Sequence, residues 1–431
     1  MGDKYKVIIR SCPDYDDLSR IRGIVTGGME QLGARPHGKV LLKPNIVFAH
    51  RRYGRFTYTN PAVIEAIIDE LATRPEVERI TLGERTAVYM PTRYNFGEAG
   101  YNRFRKKPKV KVRFFEEDVL VEIPFERGSV HKSLRLPRTL IEADYKVYAP
   151  KLKHHVSSRL TCSLKLNIGI CDQKERLKFH HYKLEEKIAD LYEPGHPDLV
   201  VVDAITIGQQ NEIVAKPMHL GVIIMGTSGV AVDSVAARLI GFKPDDIEHL
   251  RIARSRGWEP VSDDDIEIIT DVPFEELQER TKGFDRTFSD LQKLDTRLRF
   301  FIGKYPEIDD ICYGGCINML KGALATFDAY KPGCLKDCND SAIVIGEYEG
   351  DVDGHGHTIL LVGNCANVNG EVKGKTKRIK GCPVSIPLFA LPGTFYCKLP
   401  NVYMDFNYFV KYPYCFIVSY IHKFINRVLL R

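Results

Sequence analysis

Two long apolar runs restrict the possible folds of this chain more than any other feature. They are residues 196–208 (HPDLVVVDAITIG) and 220–242 (LGVIIMGTSGVAVDSVAARLIGF). A strand that is apolar on both faces has to be covered on both faces, as in a parallel sheet between layers of helices. Strand-like runs alternate with helical patterns along the first part of the chain. We therefore predict an α/β fold with a mostly parallel, doubly covered sheet.

The 431 residues exceed what one hydrophobic core usually covers, so more than one domain is expected. We predict an α/β ligand-binding domain at residues 1–270 and an amphipathic connecting helix at 271–305, where apolar residues recur at helical spacing. Residues 306–431 are predicted to form a smaller Cys-rich domain, because eight of the eleven cysteines follow residue 300.

Composition narrows the class of protein. A net charge of +6 is mild for this length, and no basic pattern interleaved with aromatic residues indicates nucleic-acid binding. The N-terminal residues lack the apolar core of a signal peptide, and no run of 18 apolar residues is present. These features predict a cytoplasmic protein without a transmembrane segment. The apolar C-terminal stretch predicts a docking helix, with a helix on a membrane surface as the alternative. The oligomeric state is left open.

The segment at residues 150–181 predicts a site for an anionic small molecule. It contains four of the thirteen histidines, together with seven lysines or arginines against two acidic residues. It follows a strand-like run, and ligands of open α/β sheets bind beyond the carboxyl ends of strands. We predict His154, Lys165 and His180 as catalytic residues. Neighbouring strand residues point to opposite faces, so only one of His154 and His155 is expected in the site, and we assign His154.

Further candidates lie at the ends of other predicted strands and in the Gly-Thr-Ser-Gly turn that opens a helix, where backbone N–H groups suit an anion. The alternative for the turn is an ordinary Ser or Thr cap, and for Asp233 a structural role. The predicted ligand-binding residues are Lys43, Asn45, Glu84, Lys151, Lys153, Asn167, Asp203, Gly226, Thr227, Ser228, Gly229 and Asp233.

The C-terminal cysteines predict a metal centre. Two C-x3-C units are followed by Gly-Asn-Cys and Gly-Cys-Pro. Clustered thiolates in Gly-flanked turns favour an iron–sulfur cluster of the 4Fe-4S type. Structural zinc, for which a C-x2-C spacing is more typical, and free buried thiols are the alternatives. We predict Cys312, Cys316, Cys365 and Cys382 as metal ligands, and Cys334 and Cys338 as spare.

With these segments identified, residues 5–260 resemble the family catalogued as domain of unknown function 362. The resemblance rests on VLLKPNIV, TNPAVIEAIIDEL with ITLGE, APKLKHH with TCSLKLNIGI, LVVVDAITIG and GVIIMGTSGVAVDSVAARLIGF, in that order. It implies an association with iron–sulfur modules but supplies no reaction. In layout alone the chain is also similar to nickel-dependent lactate-racemase-type proteins.

Taken together, the sequence predicts a cytoplasmic iron–sulfur protein whose α/β domain binds an anionic small molecule. The expected activity is that of a redox or cofactor-linked enzyme with a redox partner protein. The alternatives are a non-catalytic electron carrier or metal/cofactor-delivery protein, and a zinc-stabilised binding protein.

Overall fold

The computed structural model of the chain describes residues 4–88, 90–126, 128–178 and 182–429. The chain forms two compact units. The first consists of residues 1–177, 185–285 and 412–431, and the second of residues 178–184 and 286–411. The predicted boundaries therefore need correction, because the α/β unit extends to residue 285 and includes the C-terminal residues from 412 onward.

The first unit alternates strands and helices as predicted. Its strands are β1 (Tyr5–Ser11), β2 (Gly38–Pro44), β3 (Val77–Glu84), β4 (Val110–Phe114), β5 (Leu120–Pro124), β6 (Ser133–Pro137), β7 (Tyr145–Ala149), β8 (Lys151–His155), β9 (Arg159–Thr161), β10 (Leu199–Gln209), β11 (Lys216–Gly226) and β12 (Ile266–Thr270). Its helices are α1 (Leu18–Gln31), α2 (Pro61–Thr73), α3 (Thr92–Glu98), α4 (Arg138–Ile141), α5 (Ser163–Leu166), α6 (Gln173–Leu177), α7 (Leu184–Tyr192), α8 (Gly229–Leu239), α9 (Glu248–Ser255) and α10 (Phe274–Arg280).

One sheet of ten described strands forms the centre of this unit. Its main order is β12-β1-β11-β10-β7-β2-β3-β4, with β8 attached to β10 and β9 attached to β8. The pairs from β10 through β7, β2 and β3 to β4 are parallel, as is β1 with β12, whereas β11 is antiparallel to both its neighbours. The predicted α/β class with a mostly parallel sheet is confirmed.

Helices cover both faces of this sheet. Met225 of β11 lies against Gly28 of α1, because a Cβ atom placed on Gly28 would be 2.4 Å from the Met225 sulfur. The next residue, Gly226, lies against Val232 of α8, 2.7 Å from a Cβ placed on the glycine. Successive strand residues point to opposite faces, so α1 and α8 cover opposite faces. This arrangement explains why the strands are apolar on both faces, since helices cover both faces of the sheet.

The connecting helix predicted at residues 271–305 is not formed. The segment contains α10, then short 3₁₀ turns at Thr287–Ser289 and Leu291–Lys293, and then a strand. Gly283 adopts a φ of +77°, which ends any helical continuation. Asp290 accepts a hydrogen bond from the Gln292 N–H at 3.0 Å and starts a new turn. The apolar spacing is compatible with a helix, but the turn residues between the apolar positions break it.

The second unit is built from short parallel strands. They are β13 (Arg299–Ile302), β14 (Ala342–Ile345), β15 (Glu347–Glu349), β16 (Val352–Asp353), β17 (Ile359–Val362), β18 (Asn367–Asn369), β19 (Val372–Lys373) and β20 (Thr376–Ile379). The helices are α11 (Asn318–Tyr330), α12 (Cys334–Asp337) and α13 (Ile386–Cys397). β14, β15 and β16 pair in parallel with β17, β18 and β19, so successive coils stack as in a solenoid.

The last helix, α14 (Phe406–Leu429), begins in the second unit and from residue 412 belongs to the first. Among the helices of the described residues, none is long and apolar enough to cross a bilayer.

Candidate functional site

A buried ion pair occupies the carboxyl ends of β2 and β3. Lys43 Nζ donates to Glu84 Oε1 at 2.7 Å, and both side chains are almost completely buried. Burial lowers the pKa of Lys43 and raises the pKa of Glu84, and the attraction between the two charges opposes both shifts. The sequence placed both residues in the ligand site. In the structure each is already neutralised by the other.

A second buried network joins β8 to β10. Lys151 Nζ lies 2.9 Å from Asp203 Oδ2, and the Tyr15 hydroxyl donates to Asp203 Oδ1 at 2.7 Å. The backbone N–H of Asn60 also donates to Asp203, at 2.7 Å. Asp203 thus accepts three hydrogen bonds. One of them holds Asn60, the N-cap residue of α2, against the sheet. Lys151 and Asp203 are predicted ligand residues that the structure brings together as partners of one another.

Lys153 and Lys165 form the cationic part of the site. Lys153 is completely buried and donates to the carbonyl oxygens of Thr57 and Glu212 at 2.5 and 2.9 Å. Burial lowers the pKa of Lys153 to about 7, with the Glu212 carboxylate acting in the opposite direction and the charge of Lys165 adding to the lowering. Burial also lowers the pKa of Lys165. Within the described residues the Lys165 ammonium has no hydrogen bond or ion pair, so it is available to a ligand.

The structure separates the two adjacent histidines of β8, as strand alternation requires. The His154 ring packs against Phe242 and Phe284, with ring centroids 6.3 and 6.1 Å away. The His155 Nε2 lies 3.5 Å from Glu212 Oε1, on the side of the strand that also carries Lys153. His155 is therefore the histidine beside the lysines, whereas His154 packs on two aromatic rings and its Nδ1 lies 2.9 Å from the Arg159 carbonyl oxygen. The catalytic role of His154 remains a prediction, and His180 lies outside the described residues.

The helix end predicted to bind an anion is covered by protein side chains. Ser228 Oγ accepts a hydrogen bond from the Ala231 N–H at 3.2 Å and caps α8. Gly229 lies against the hydroxyl groups of Ser163 and Tyr192, which would be 2.7 and 2.8 Å from a Cβ atom placed there. Gly226 is part of β11 and buried, and Thr227 is exposed. In this turn Ser228 therefore acts as the N-cap of α8, which was the alternative interpretation of the sequence.

Asp233 has a positioning role. Its carboxylate accepts the backbone N–H groups of Ser163 and Leu164 at 2.7 and 3.0 Å, and so fixes the start of α5, which carries Lys165. Burial raises the pKa of Asp233 to about 6. Asn167 ends the same helix.

The two predicted asparagines differ in their hydrogen bonding. The Asn167 Oδ1 accepts from the Tyr148 hydroxyl at 2.7 Å, and its Nδ2 donates to the Leu164 carbonyl oxygen at 3.2 Å. The buried Asn45 Oδ1 has no hydrogen-bond partner among the described residues. Because a buried polar atom without a partner is costly, Asn45 fits a role in ligand binding better than Asn167 does.

The sequence did not predict a cavity of about 530 Å³ beneath α14, in the first unit. Phe416, Tyr420 and Met90 give it an apolar side. Its charged lining is Arg85, Arg135, Lys174, Arg176, Lys423 and Arg427, with the carboxylates of Glu116 and Asp172. This excess of positive charge suits an anion. Residues from α14 lie far along the chain from the basic segment, so no local pattern could have shown that they line one cavity.

In the second unit the four cysteines predicted as metal ligands are brought together. Cys312 precedes a π-helical turn (Tyr313–Ile317) before α11 and Cys316 lies in that turn, whereas Cys365 follows β17 and Cys382 follows β20. Burial raises the pKa of all four thiols, and the charges of the others raise it further for Cys312, Cys316 and Cys365. Gly363 lies between two of them: a Cβ atom there would be 3.2 Å from Cys316 Sγ and 3.8 Å from Cys365 Sγ.

Hydrogen-bond donors point at each of these four sulfur atoms. The Val384 N–H donates to Cys316 Sγ at 3.4 Å. The backbone N–H groups of Gly315 and Gly346 lower the pKa of Cys312 and Cys365, and the Tyr305 hydroxyl lowers that of Cys382. Such donors stabilise thiolates, the form in which cysteine binds metals.

Across the described ranges of the chain, no three His, Cys, Asp or Glu side chains converge closely enough to hold a single metal ion. Cys334 interacts electrostatically with Cys338, and Cys397 with Cys338, so the two cysteines predicted as spare belong to a different group.

Comparison with known proteins finds a family match within the first unit. Residues 40–238 match the sequence model described as "Domain of unknown function (DUF362)". No curated protein matches the chain. Among solved structures, the lactate racemase apoprotein from Thermoanaerobacterium thermosaccharolyticum is similar with 11% sequence identity and a TM-score of 0.32, over 49% of this chain and 52% of that chain. The present chain thus spans about half the length of that protein.

Proposed function

We propose that this chain, which belongs to the DUF362 family through residues 40–238, is a cytoplasmic iron–sulfur protein whose α/β unit binds an anionic small molecule. The main support for this proposal is that four cysteines spread over some seventy residues of sequence lie close together in the structure. They are Cys312, Cys316, Cys365 and Cys382. A redox or cofactor-linked enzyme, served by a redox partner protein, is the activity that this combination favours.

The C-x3-C spacing of the cysteines fits an iron–sulfur cluster better than structural zinc, for which C-x2-C is more typical. A zinc ion holds thiolates at about 2.3 Å, so four of them crowd within about 4 Å of one another. A cluster attaches each thiolate to a different iron and accommodates a wider group. The four thiols lie within electrostatic range of one another.

When bound, such a cluster would supply one-electron transfer. The protein's own contribution is to hold the four sulfurs and to set their charge. N–H groups from Gly315, Gly346 and Val384 donate towards three of the sulfurs and the Tyr305 hydroxyl towards the fourth. Hydrogen bonds to the sulfurs tune the reduction potential of a cluster.

The α/β unit supports the second half of the proposal through its lysines. Lys165 has an ammonium without an internal partner in the described chain, and Lys153 lies within electrostatic range of it. Lys165 offers a positive charge to a phosphate or carboxylate group, and Lys153, whose pKa is about 7, adds a partial positive charge at neutral pH. His155 beside Glu212 is then the nearest candidate for acid–base work.

The proposal is tested by iron and sulfide analysis of protein purified without oxygen. We expect about four iron and four sulfide per chain with a broad brown absorption. Cys316→Ser should lose most of the iron. Cys334→Ser is the matched control, because Cys334 is also buried but belongs to the other cysteine group, and it should retain the iron.

Stoichiometric zinc, or protein free of iron and sulfide after anaerobic reconstitution, would overturn the cluster and leave the zinc-stabilised binding protein as the better description. Equal loss of iron in both cysteine variants would also count against the assigned ligands. A cluster that is reversibly reduced while no anionic compound changes its redox behaviour would favour the electron-carrier alternative.

A further inference from the structure

Helix α14 packs on the α/β unit with its polar side. Between residues 412 and 429, the Ser419 hydroxyl donates to Glu117 Oε1 at 2.8 Å, and Asn426 Nδ2 donates to the Glu117 carbonyl oxygen at 2.8 Å. Ser419 is almost fully buried. A surface helix of a globular protein normally turns its apolar side inward. In α14 the polar Ser419 and Asn426 are turned inward, together with Tyr412, whose ring centroid lies 6.2 Å from that of Tyr94.

The apolar side of α14 consequently faces outward. Six of its large side chains that do not line the cavity are between 38% and 68% exposed: Tyr414, Ile417, Ile421, Phe424, Ile425 and Val428. Single exposed apolar residues are ordinary, but a continuous row of this size marks an interaction surface. The hydrogen bonds to Glu117 fix which side is presented.

The charge of this helix is one-sided. No aspartate or glutamate follows Asp405 in the sequence, whereas Lys411, Lys423 and Arg427 all lie on α14. Lys423 and Arg427 also line the cavity beneath the helix, where cations outnumber carboxylates. The helix as a whole, which carries basic and no acidic residues from Phe406 onward, is therefore cationic and complements a negatively charged partner.

We propose that α14 binds the surface of a membrane rich in anionic phospholipids. Its outward aromatic and aliphatic side chains would enter the boundary between head groups and acyl chains, and the net positive charge of the helix would attract the anionic head groups. Aromatic residues favour this interfacial region, and basic residues bind anionic lipids there. This inference does not depend on the iron–sulfur proposal.

Charge favours a lipid surface over a second copy of the chain. Two copies of α14 placed face to face would bring together helices that carry basic residues and no acidic ones, and like charges repel. An anionic bilayer instead provides negative charge and an apolar phase in the same place.

The test is sedimentation of the full chain with vesicles of phosphatidylcholine alone and of phosphatidylcholine with about one third phosphatidylglycerol. We expect binding to the anionic vesicles that weakens as salt is raised. In Ile421→Ser/Phe424→Ser, binding should fall by about tenfold or more, because two exposed apolar side chains are lost. Neither residue lines the cavity. Val261→Ser, which changes an equally exposed apolar residue elsewhere, should bind as the parent does.

Each of the following outcomes would overturn the proposal. No binding to anionic vesicles does so directly, and equal binding by the double variant removes α14 from the interaction. Light scattering on the same samples tests whether the apolar face binds a second copy of the chain instead. A dimer that dissociates in the double variant would assign the face to a second copy. Inorganic phosphate at millimolar concentration should not displace the protein, since displacement would assign the basic residues to a free anion.

Discussion

The buried lysines of the α/β unit have different roles in the candidate site. Lys43 and Lys151 are each neutralised by a carboxylate within 3 Å, Glu84 and Asp203. Burying a charge without a partner costs several kcal/mol, which accounts for these pairs. Within the described residues Lys165 has no such partner. A ligand anion would complete the pairing.

We predict that Lys165→Met abolishes anion binding and leaves the iron content unchanged. The ammonium would be lost while the chain length of the side chain is kept. Binding is measured as the rise in Tm that pyrophosphate produces. Lys216→Met, at an exposed position of β11, should keep the full rise. An undiminished Tm response in Lys165→Met would rule out the role of this lysine.

A pH dependence follows from Lys153. Burial lowers its pKa to about 7 in the folded chain, whereas an unfolded chain has a lysine pKa of about 10.4. Between these values the unfolded state binds more protons, so the free energy of unfolding should rise with pH from about 7 to 10. Lys153→Met should lack this part of the rise, as urea unfolding of both proteins at several pH values would measure.

The same titration acts oppositely on the ligand. Above pH 7 Lys153 becomes neutral and attracts an anion less, so the affinity for pyrophosphate should decline while stability increases. If affinity and stability change in the same direction between pH 7 and 10, Lys153 does not contact the anion.

At the scale of secondary-structure elements, α5 depends on α8 for its position. Asp233 of α8 accepts both N–H groups at the start of α5, on which Lys165 lies. A helix of four residues has little stability of its own. Its place is set by this tertiary contact.

Asp233→Ala should therefore weaken both the fold and the site. Loss of a carboxylate that accepts two buried backbone N–H groups is expected to cost about 1–3 kcal/mol of unfolding free energy, measured by urea denaturation at pH 7. Pyrophosphate affinity should fall as well, because Lys165 is no longer held. Asp271→Ala is a suitable comparison, since that carboxylate accepts only the Ser11 N–H at an exposed edge, and it should keep the affinity.

At the scale of the whole molecule, the chain passes from the first unit to the second and returns twice. Residues 178–184 and 286–411 form the second unit, and residues from 412 onward rejoin the first. The second unit therefore cannot be removed by one cut without also removing most of α14. Each unit nevertheless has a core of its own.

This organisation predicts that metal removal affects one unit selectively. Metal binding free energy contributes to the stability of the part that holds the metal. Iron chelation under reducing conditions should lower the Tm of one of two calorimetric transitions and leave the other in place. Cys316→Ser should reproduce the lowered transition without chelator. A single transition that shifts as a whole would show that the units do not unfold separately.

Much of the secondary structure of the α/β unit could be predicted because local sequence patterns are sufficient to identify its strands and helices. β10, β11 and α8 follow from apolar runs, and α2 begins at Asn60 with Pro61 as the pattern indicates. The short strands of the solenoid could not be predicted in this way, since two to four residues carry no readable period. The apolar spacing at residues 271–305 was misleading because local turn chemistry interrupted it.

The sequence alone determined the fold class, the strand ends that carry polar residues and the four cysteines taken as one group. The tertiary structure decided which of these residues are partners: Lys43 with Glu84, Lys151 with Asp203, and His155 rather than His154 beside Lys153. It also decided that α14 presents its apolar side outward. Periodicity and composition act over neighbouring residues, whereas pairing and orientation depend on contacts between segments 41 to 302 residues apart, which no local pattern encodes.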